Sequence, residues 1–79
     1  MRKPDPRWGD VTDGWRVAWV LELDDGRSLE VCEVYGQSGL TVSLHDERGG
    51  MVYERDLRTD DPHVAQRTIE DEARERGWM

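Results

Sequence analysis

The stretch that decides the fold runs from Trp15 to Tyr35. It reads Trp15-Arg16-Val17-Ala18-Trp19-Val20-Leu21-Glu22-Leu23, then Asp24-Asp25-Gly26, then Arg27-Ser28-Leu29-Glu30-Val31-Cys32-Glu33-Val34-Tyr35. In the first run every odd position is apolar, while the even positions mix Arg16, Ala18, Val20 and Glu22. Alternation with period two predicts a strand with one wholly buried face. The second run, from Ser28 to Tyr35, predicts its hairpin partner.

Register decides the turn. A two-residue Asp25-Gly26 loop pairs Leu21 with Glu30 and Leu29 with Glu22, and directly opposed residues share a face, so charges would enter the core. A three-residue loop, Asp24-Asp25-Gly26, pairs Leu21 with Leu29, Trp19 with Val31 and Trp15 with Tyr35. Gly26 then takes the left-handed position that this hairpin and its bulge require. Glu33 is the misfit, facing inward opposite Val17. Either a bulge near Cys32 turns it outward and brings Val34 in, or it stands at an open sheet margin, because an unpaired buried carboxylate is costly.

Working outward, Gly36-Gln37-Ser38-Gly39 is a turn cluster, and Leu40, Val42 and Leu44 alternate in a third strand. Asp46-Glu47-Arg48-Gly49 makes the next turn. Met51, Tyr53 and Leu57 then mark one face of a fourth strand, with Val52, Glu54 and Asp56 on the other. Pairing Leu44 with Met51 aligns Val42 with Tyr53. A helix follows, capped by Asp61 with Pro62 at its first position. Val64, Ala65, Ile69 and Ala73 form its apolar stripe, and Glu70–Arg74 and Glu72–Arg76 are favourably oriented pairs. Gly77 is placed to end it left-handed, with Trp78 packing back. Residues 1–14 contain Pro4, Pro6, Gly9 and Gly14 and read as an irregular arm. The expected fold is α+β: one domain over 15–79, a four-stranded antiparallel β-meander with one C-terminal α-helix packed on the sheet. Trp8, the arm's one large apolar group, either covers a core edge or anchors a partner.

Composition narrows the chemistry. The chain has 79 residues, a net charge of −7 and a pI near 4.7. Such a surface repels phosphate backbones, so direct nucleic-acid binding is not expected. Cys32 is the single cysteine and no long apolar run follows the basic start, which predicts a cytoplasmic protein without a membrane segment. One Cys and two His do not build a structural zinc site, and the acidic turn lacks the alternating ligands of an EF-hand, so no metal or cofactor is expected. Cys32 and His45 are the one conceivable thiol–imidazole pair, but Cys32 sits mid-strand among apolar neighbours. No catalytic residue is assigned, and the chain does not read as an enzyme.

The informative feature is where the acid lies. Residues 1–14 are balanced, whereas residues 15–40 set Arg16 and Arg27 against Glu22, Asp24, Asp25, Glu30 and Glu33. Residues 41–61 set Arg48, Arg55 and Arg58 against Asp46, Glu47, Glu54, Asp56, Asp60 and Asp61. In a meander the first and third turns share one end of the sheet, which gathers Asp24, Asp25, Asp46 and Glu47 on a rim. Glu22, Glu30, Glu54 and Asp56 extend the acidity over the outward face. The acid then serves solubility and edge protection, or it meets a basic groove on a partner protein.

A short, acidic β-sheet-plus-helix chain with Asp24-Asp25, Asp46-Glu47, Glu54 and Asp56 over an antiparallel sheet resembles the small anti-CRISPR proteins of phages and mobile elements. The likeness is one of size, charge and architecture, without a shared motif. It implies a stoichiometric inhibitor in the host cytoplasm that binds the basic DNA-recognition surface of a CRISPR effector, with a type I multisubunit complex as the specific case, and blocks target DNA. The alternative is a small interaction or regulatory module that uses Trp8, the Trp78 region or a sheet edge, without nucleic-acid competition. The chain is expected to be a monomer or, through an exposed edge strand, a weak homodimer.

Overall fold

The turn at Asp24-Asp25-Gly26 is the three-residue loop that the register demanded. In the computed structural model, which describes residues 7–12, 14 and 16–79, the Leu23 N–H donates to the Arg27 carbonyl at 2.8 Å. The Gly26 N–H donates to the Leu23 carbonyl at 3.2 Å. Gly26 has φ +90°, the left-handed geometry of the bulge that closes such loops. Strands β2 (Arg16–Glu22) and β3 (Ser28–Val34) therefore pair Leu21 with Leu29 and Trp19 with Val31. The expected Trp15–Tyr35 pair lies outside the described residues.

The sheet has five strands, not four. Gly9–Thr12 forms β1 and pairs antiparallel with β2, so the expected irregular arm is here an edge strand. Glycine and aspartate have little intrinsic strand preference; β2 supplies the ladder that fixes them. Strands β4 (Leu40–His45) and β5 (Met51–Leu57) complete an antiparallel meander in the order β1-β2-β3-β4-β5. Between β3 and β4, Gly39 (φ +81°) lies against the Leu57 carbonyl oxygen, where any Cβ would collide.

The β4–β5 register differs from the expected one. Leu44 pairs with Tyr53, Val42 with Arg55 and His45 with Met51, with a bulge between Leu44 and His45. The cause is Asp46, whose carboxylate accepts from Arg48 N at 3.0 Å and Gly50 N at 2.7 Å. The loop then closes through Asp46 N–H to the Gly50 carbonyl at 2.8 Å. Met51 thus moves off the core face to stand opposite His45, while Tyr53, Arg55 and Leu57 keep to it. Glu33 is not bulged outward. It stays opposite Val17, beyond the last β3–β4 pair at Cys32 and Thr41, so it occupies the sheet margin.

Helix α1 (Pro62–Glu75) lies over β3 and β4. Asp61 caps it by accepting from His63 N at 2.9 Å, with Pro62 in the first turn. Its C-terminus is a Schellman motif: Trp78 N donates to Ala73 O at 2.7 Å and Gly77 N to Arg74 O at 3.2 Å. The core joins Leu21, Leu29, Val31, Leu40, Val42 and Leu44 to Ala65, Ile69 and Ala73. Val64, expected in the stripe, is 45% exposed; the buried side runs instead through Ala65, Gln66, Ile69, Glu70 and Ala73.

Two helix carboxylates explain that rotation. Glu70, 7% exposed, accepts from Trp8 Nε1 at 2.9 Å and Arg7 Nη2 at 2.8 Å on one oxygen, and from Arg74 at 3.3 Å on the other. Trp8 is itself 7% exposed, so it belongs to the core and its ring is not available to anchor a partner. Glu72 accepts from the Tyr53 hydroxyl at 2.6 Å and pairs with Arg76 at 3.2 Å and Arg55 at 3.5 Å. Both expected i, i+4 pairs are therefore present, and each is tied to the sheet or to the segment leading into it.

Glu70→Ala leaves the buried Trp8 indole N–H without an acceptor, which costs about 2 kcal/mol. Glu70→Gln keeps an acceptor and is expected to lose under about 1 kcal/mol. Urea denaturation of the two variants measures the difference, and equal losses would show that the bond to Trp8 contributes nothing. Tyr53 gives a pH signature. Its hydrogen bond to Glu72, then burial and the Glu72 charge, raise its pKa above the ordinary 10.0. The stabilisation is complete below that ordinary value and is lost as pH rises through the raised one. In a Tyr35→Phe background, the phenolate absorbance of the remaining tyrosine should titrate above 10.0, and Glu72→Gln should bring the midpoint down.

Candidate functional site: the acidic open face

The helix occupies one face of the sheet and leaves the other without a helix. Register places three rows there. Ala18, Cys32, Thr41 and Asp56 form one; Val20, Glu30, Ser43 and Glu54 the next; Glu22, Ser28, His45 and Met51 the third. All four outward acids singled out from the sequence, Glu22, Glu30, Glu54 and Asp56, therefore share this face. Over its middle lies a shallow depression of about 510 Å³, lined among others by Arg16, Glu30, Cys32, Ser43, His45 and Glu54.

The rim acids also come together. A Cβ built on Gly26 would stand 3.2 Å from the Glu47 Cβ, so the β2–β3 and β4–β5 turns touch. Their carboxylates are not equivalent. Asp25 accepts from Arg27 N at 3.0 Å and pairs with Arg27 Nε at 2.6 Å. The backbone N–H of Arg27, followed by its guanidinium, holds the Asp25 carboxyl below its ordinary value. Asp46 is spent on its own turn. Asp24 and Glu47 are exposed and make no such bond among the described residues.

The same sorting applies to the face. Glu30 pairs with Arg16 Nη1 at 3.3 Å and His45 Nε2 at 3.3 Å, and Asp56 accepts from the Thr41 hydroxyl at 3.0 Å. Glu22 and Glu54 are exposed and without such a partner among the described residues. Four carboxylates, Glu22, Asp24, Glu47 and Glu54, thus point to solvent unengaged. The other four hold the scaffold that presents them.

Ser43, His45 and Glu30 form a nucleophile–imidazole–carboxylate set by composition, but the geometry is wrong for a relay. Ser43 Oγ lies 3.0 Å from His45 Nε2, and Glu30 approaches that same nitrogen. A relay needs the acid on the opposite nitrogen; here Nδ1 faces the Gly49 carbonyl at 3.5 Å. Ser43 is also only 4% exposed. Cys32 lies four residues along β3 from the His45 row, roughly 13 Å away at strand spacing, so the thiol–imidazole pair is not assembled. Among the described residues no three His, Cys, Asp or Glu side chains cluster as metal ligands. No helix among them is long and apolar enough to cross a membrane.

The ties from Glu70 to Trp8 and Arg7, and from Glu72 to Tyr53 and Arg55, were not foreseen from the sequence. Glu70 flanks Ile69 and Ala73 on the helix wheel, and a polar residue at the edge of so narrow a stripe is the available signal. No family model, curated protein or solved structure matches the chain.

The division of the acids is testable by stability. Asp46→Asn weakens its turn hydrogen bonds and is expected to cost about 0.5–1.5 kcal/mol, and Asp25→Asn is expected to destabilise in the same direction. Asp24→Asn and Glu47→Gln should stay within about 0.5 kcal/mol of the parent. Chemical denaturation of the four variants checks this, and a uniform response would show that the rim carboxylates are interchangeable.

Proposed function

We propose that the protein is a non-catalytic acidic inhibitor. It docks its open face and turn rim on the basic nucleic-acid-binding surface of a partner protein and so excludes the nucleic acid. The observation that supports this most is the gathering of Glu22, Glu30, Glu54 and Asp56 on one helix-free face, beside the touching turns that carry Asp24, Asp25, Asp46 and Glu47. Arg16, opposite Val34 at the end of these rows, is paired with Glu30. Acids gathered in this way on one face attract a basic partner to it. The anti-CRISPR likeness supplies the partner class: a CRISPR effector complex, type I in the specific form of the proposal, whose DNA-recognition surface is basic.

The test uses immobilised protein and a nuclease-treated bacterial lysate containing such an effector. A nucleic-acid-binding complex should be captured, and added duplex DNA or salt should release it. The variant carrying Glu22→Gln, Asp24→Asn, Glu47→Gln and Glu54→Gln removes the unengaged charges while sparing the structural ones. It should capture roughly tenfold less or lower, the equivalent of about 1.4 kcal/mol. Capture that neither DNA nor these substitutions disturb would overturn the proposal.

A further inference from the structure

Among the described residues the sheet ends at β5, and its outer backbone edge has no neighbouring strand. Helix α1 packs over β3 and β4 and leaves that edge clear. Five of the seven β5 residues are exposed. Val52, 59% exposed, and Met51, 57% exposed, are the most exposed large apolar side chains among the described residues. An open strand edge is a template for pairing with another chain, and natural sheets blunt it with proline, charged side chains or bulges; the charges on β5, Glu54, Arg55 and Asp56, deter chains of like charge and leave a basic strand as the fitting partner. Here β5 contains neither proline nor lysine, and its bulge lies at the Val52 end, leaving Tyr53 to Leu57 in regular register.

We propose that β5 is a docking edge which a partner protein extends with a strand of its own, its basic residues alternating onto the open face beside Glu54 and Asp56. This rests on the acidic-face reading above and adds the mode of contact and the kind of segment that makes it. Glu54 and Asp56 are two residues apart on one face, roughly 7 Å along the strand. Lysine or arginine at alternate positions of an added strand falls directly opposite them, where opposite charges stabilise the pair. Arg55 points to the other face and is occupied by Glu72, so it does not oppose the incoming charges. An apolar residue in the same strand would cover Val52.

The charge pattern argues against a second copy of this chain as the occupant. Opposed residues in antiparallel pairing must share a face. Full overlap of two β5 strands sets Glu54 against Glu54. The next in-phase register sets Glu54 against Asp56 and Arg55 against Arg55, and the one in the other direction crosses the Val52 bulge. Strand addition by a basic segment has none of these conflicts, and its main-chain hydrogen bonds supply affinity while the side chains supply choice.

The experiment uses the full chain at low ionic strength with a seven-residue peptide alternating lysine with threonine and valine. Two further versions are N-methylated at alternate residues, each blocking one peptide edge. Amide NMR should show shifts and slowed hydrogen exchange along 51–57 with the parent peptide. One methylated version should bind roughly tenfold more weakly or worse, the other within about threefold, because an added strand uses a single edge. Glu54→Gln with Asp56→Asn should weaken the parent peptide. Equal binding by all three peptides overturns strand addition but leaves the acidic-face reading standing, since side-chain charge alone would then suffice. No binding by any peptide overturns both. A concentration-dependent dimer by sedimentation, with β5 amides protected when no peptide is present, makes the occupant a second copy and also overturns the proposal.

Discussion

Every face of this molecule follows from the pairing of Leu21 with Leu29 across Asp24-Asp25-Gly26. Side chains on a strand alternate with period two, so a slip of one residue exchanges core and solvent along the whole strand. Had the hairpin closed on two residues, Leu21 would share its face with Glu30 and Leu29 with Glu22, so whichever face met the helix would bury a carboxylate and leave a leucine in water. The three-residue loop avoids this because Gly26 accepts a left-handed backbone. Since β4 pairs in phase with β3, and β5 with β4, that one choice propagates across the sheet. The buried leucine face and the acidic open face are two consequences of a single register.

A chain of 79 residues buries little surface, and its remaining cohesion comes from polar groups placed at the core's margin. Glu70 is the clearest case. A buried carboxylate is unfavourable alone, but three donors from Trp8, Arg7 and Arg74 surround it. They fasten the segment entering β1 to the last turns of α1. On the other flank Glu72 joins Tyr53, Arg55 and Arg76, while Trp78 packs at 5.2 Å from the Tyr53 ring. The helix is thus held on both sides of its narrow apolar stripe. This explains why a 14-residue helix with five buried residues keeps one orientation on the sheet.

What the sequence made legible was whatever is local and periodic. The hairpin register, the helix with both its caps, the Glu70–Arg74 and Glu72–Arg76 pairs and the sharing of one face by four acids all follow from spacing and turn chemistry. What it hid required a partner distant in sequence or a competing local bond. Gly9–Thr12 has no strand signature because its ladder comes from β2. The β4–β5 register turned on the Asp46 carboxylate binding the backbone N–H groups of Arg48 and Gly50, and that bond outweighed the alternation of Met51 and Tyr53. Val64 and Glu70 exchanged their expected exposures because Trp8, more than sixty residues away, required an acceptor.

The two halves of the acid set depend on one another. Asp25 and Asp46 stiffen the turns, Asp56 ties to Thr41, and Glu30 is flanked by Arg16 and His45. These four gain local stability from their charge. Glu22, Asp24, Glu47 and Glu54 gain none from the described residues, and their mutual repulsion opposes folding. Four unengaged carboxylates on the open face and its adjoining turns, on a scaffold held by the engaged ones, present charge in a fixed pattern. A fixed pattern reduces the ordering cost of meeting a complementary surface. That is the physical ground for reading the open face as a contact surface and not as a solvated coat.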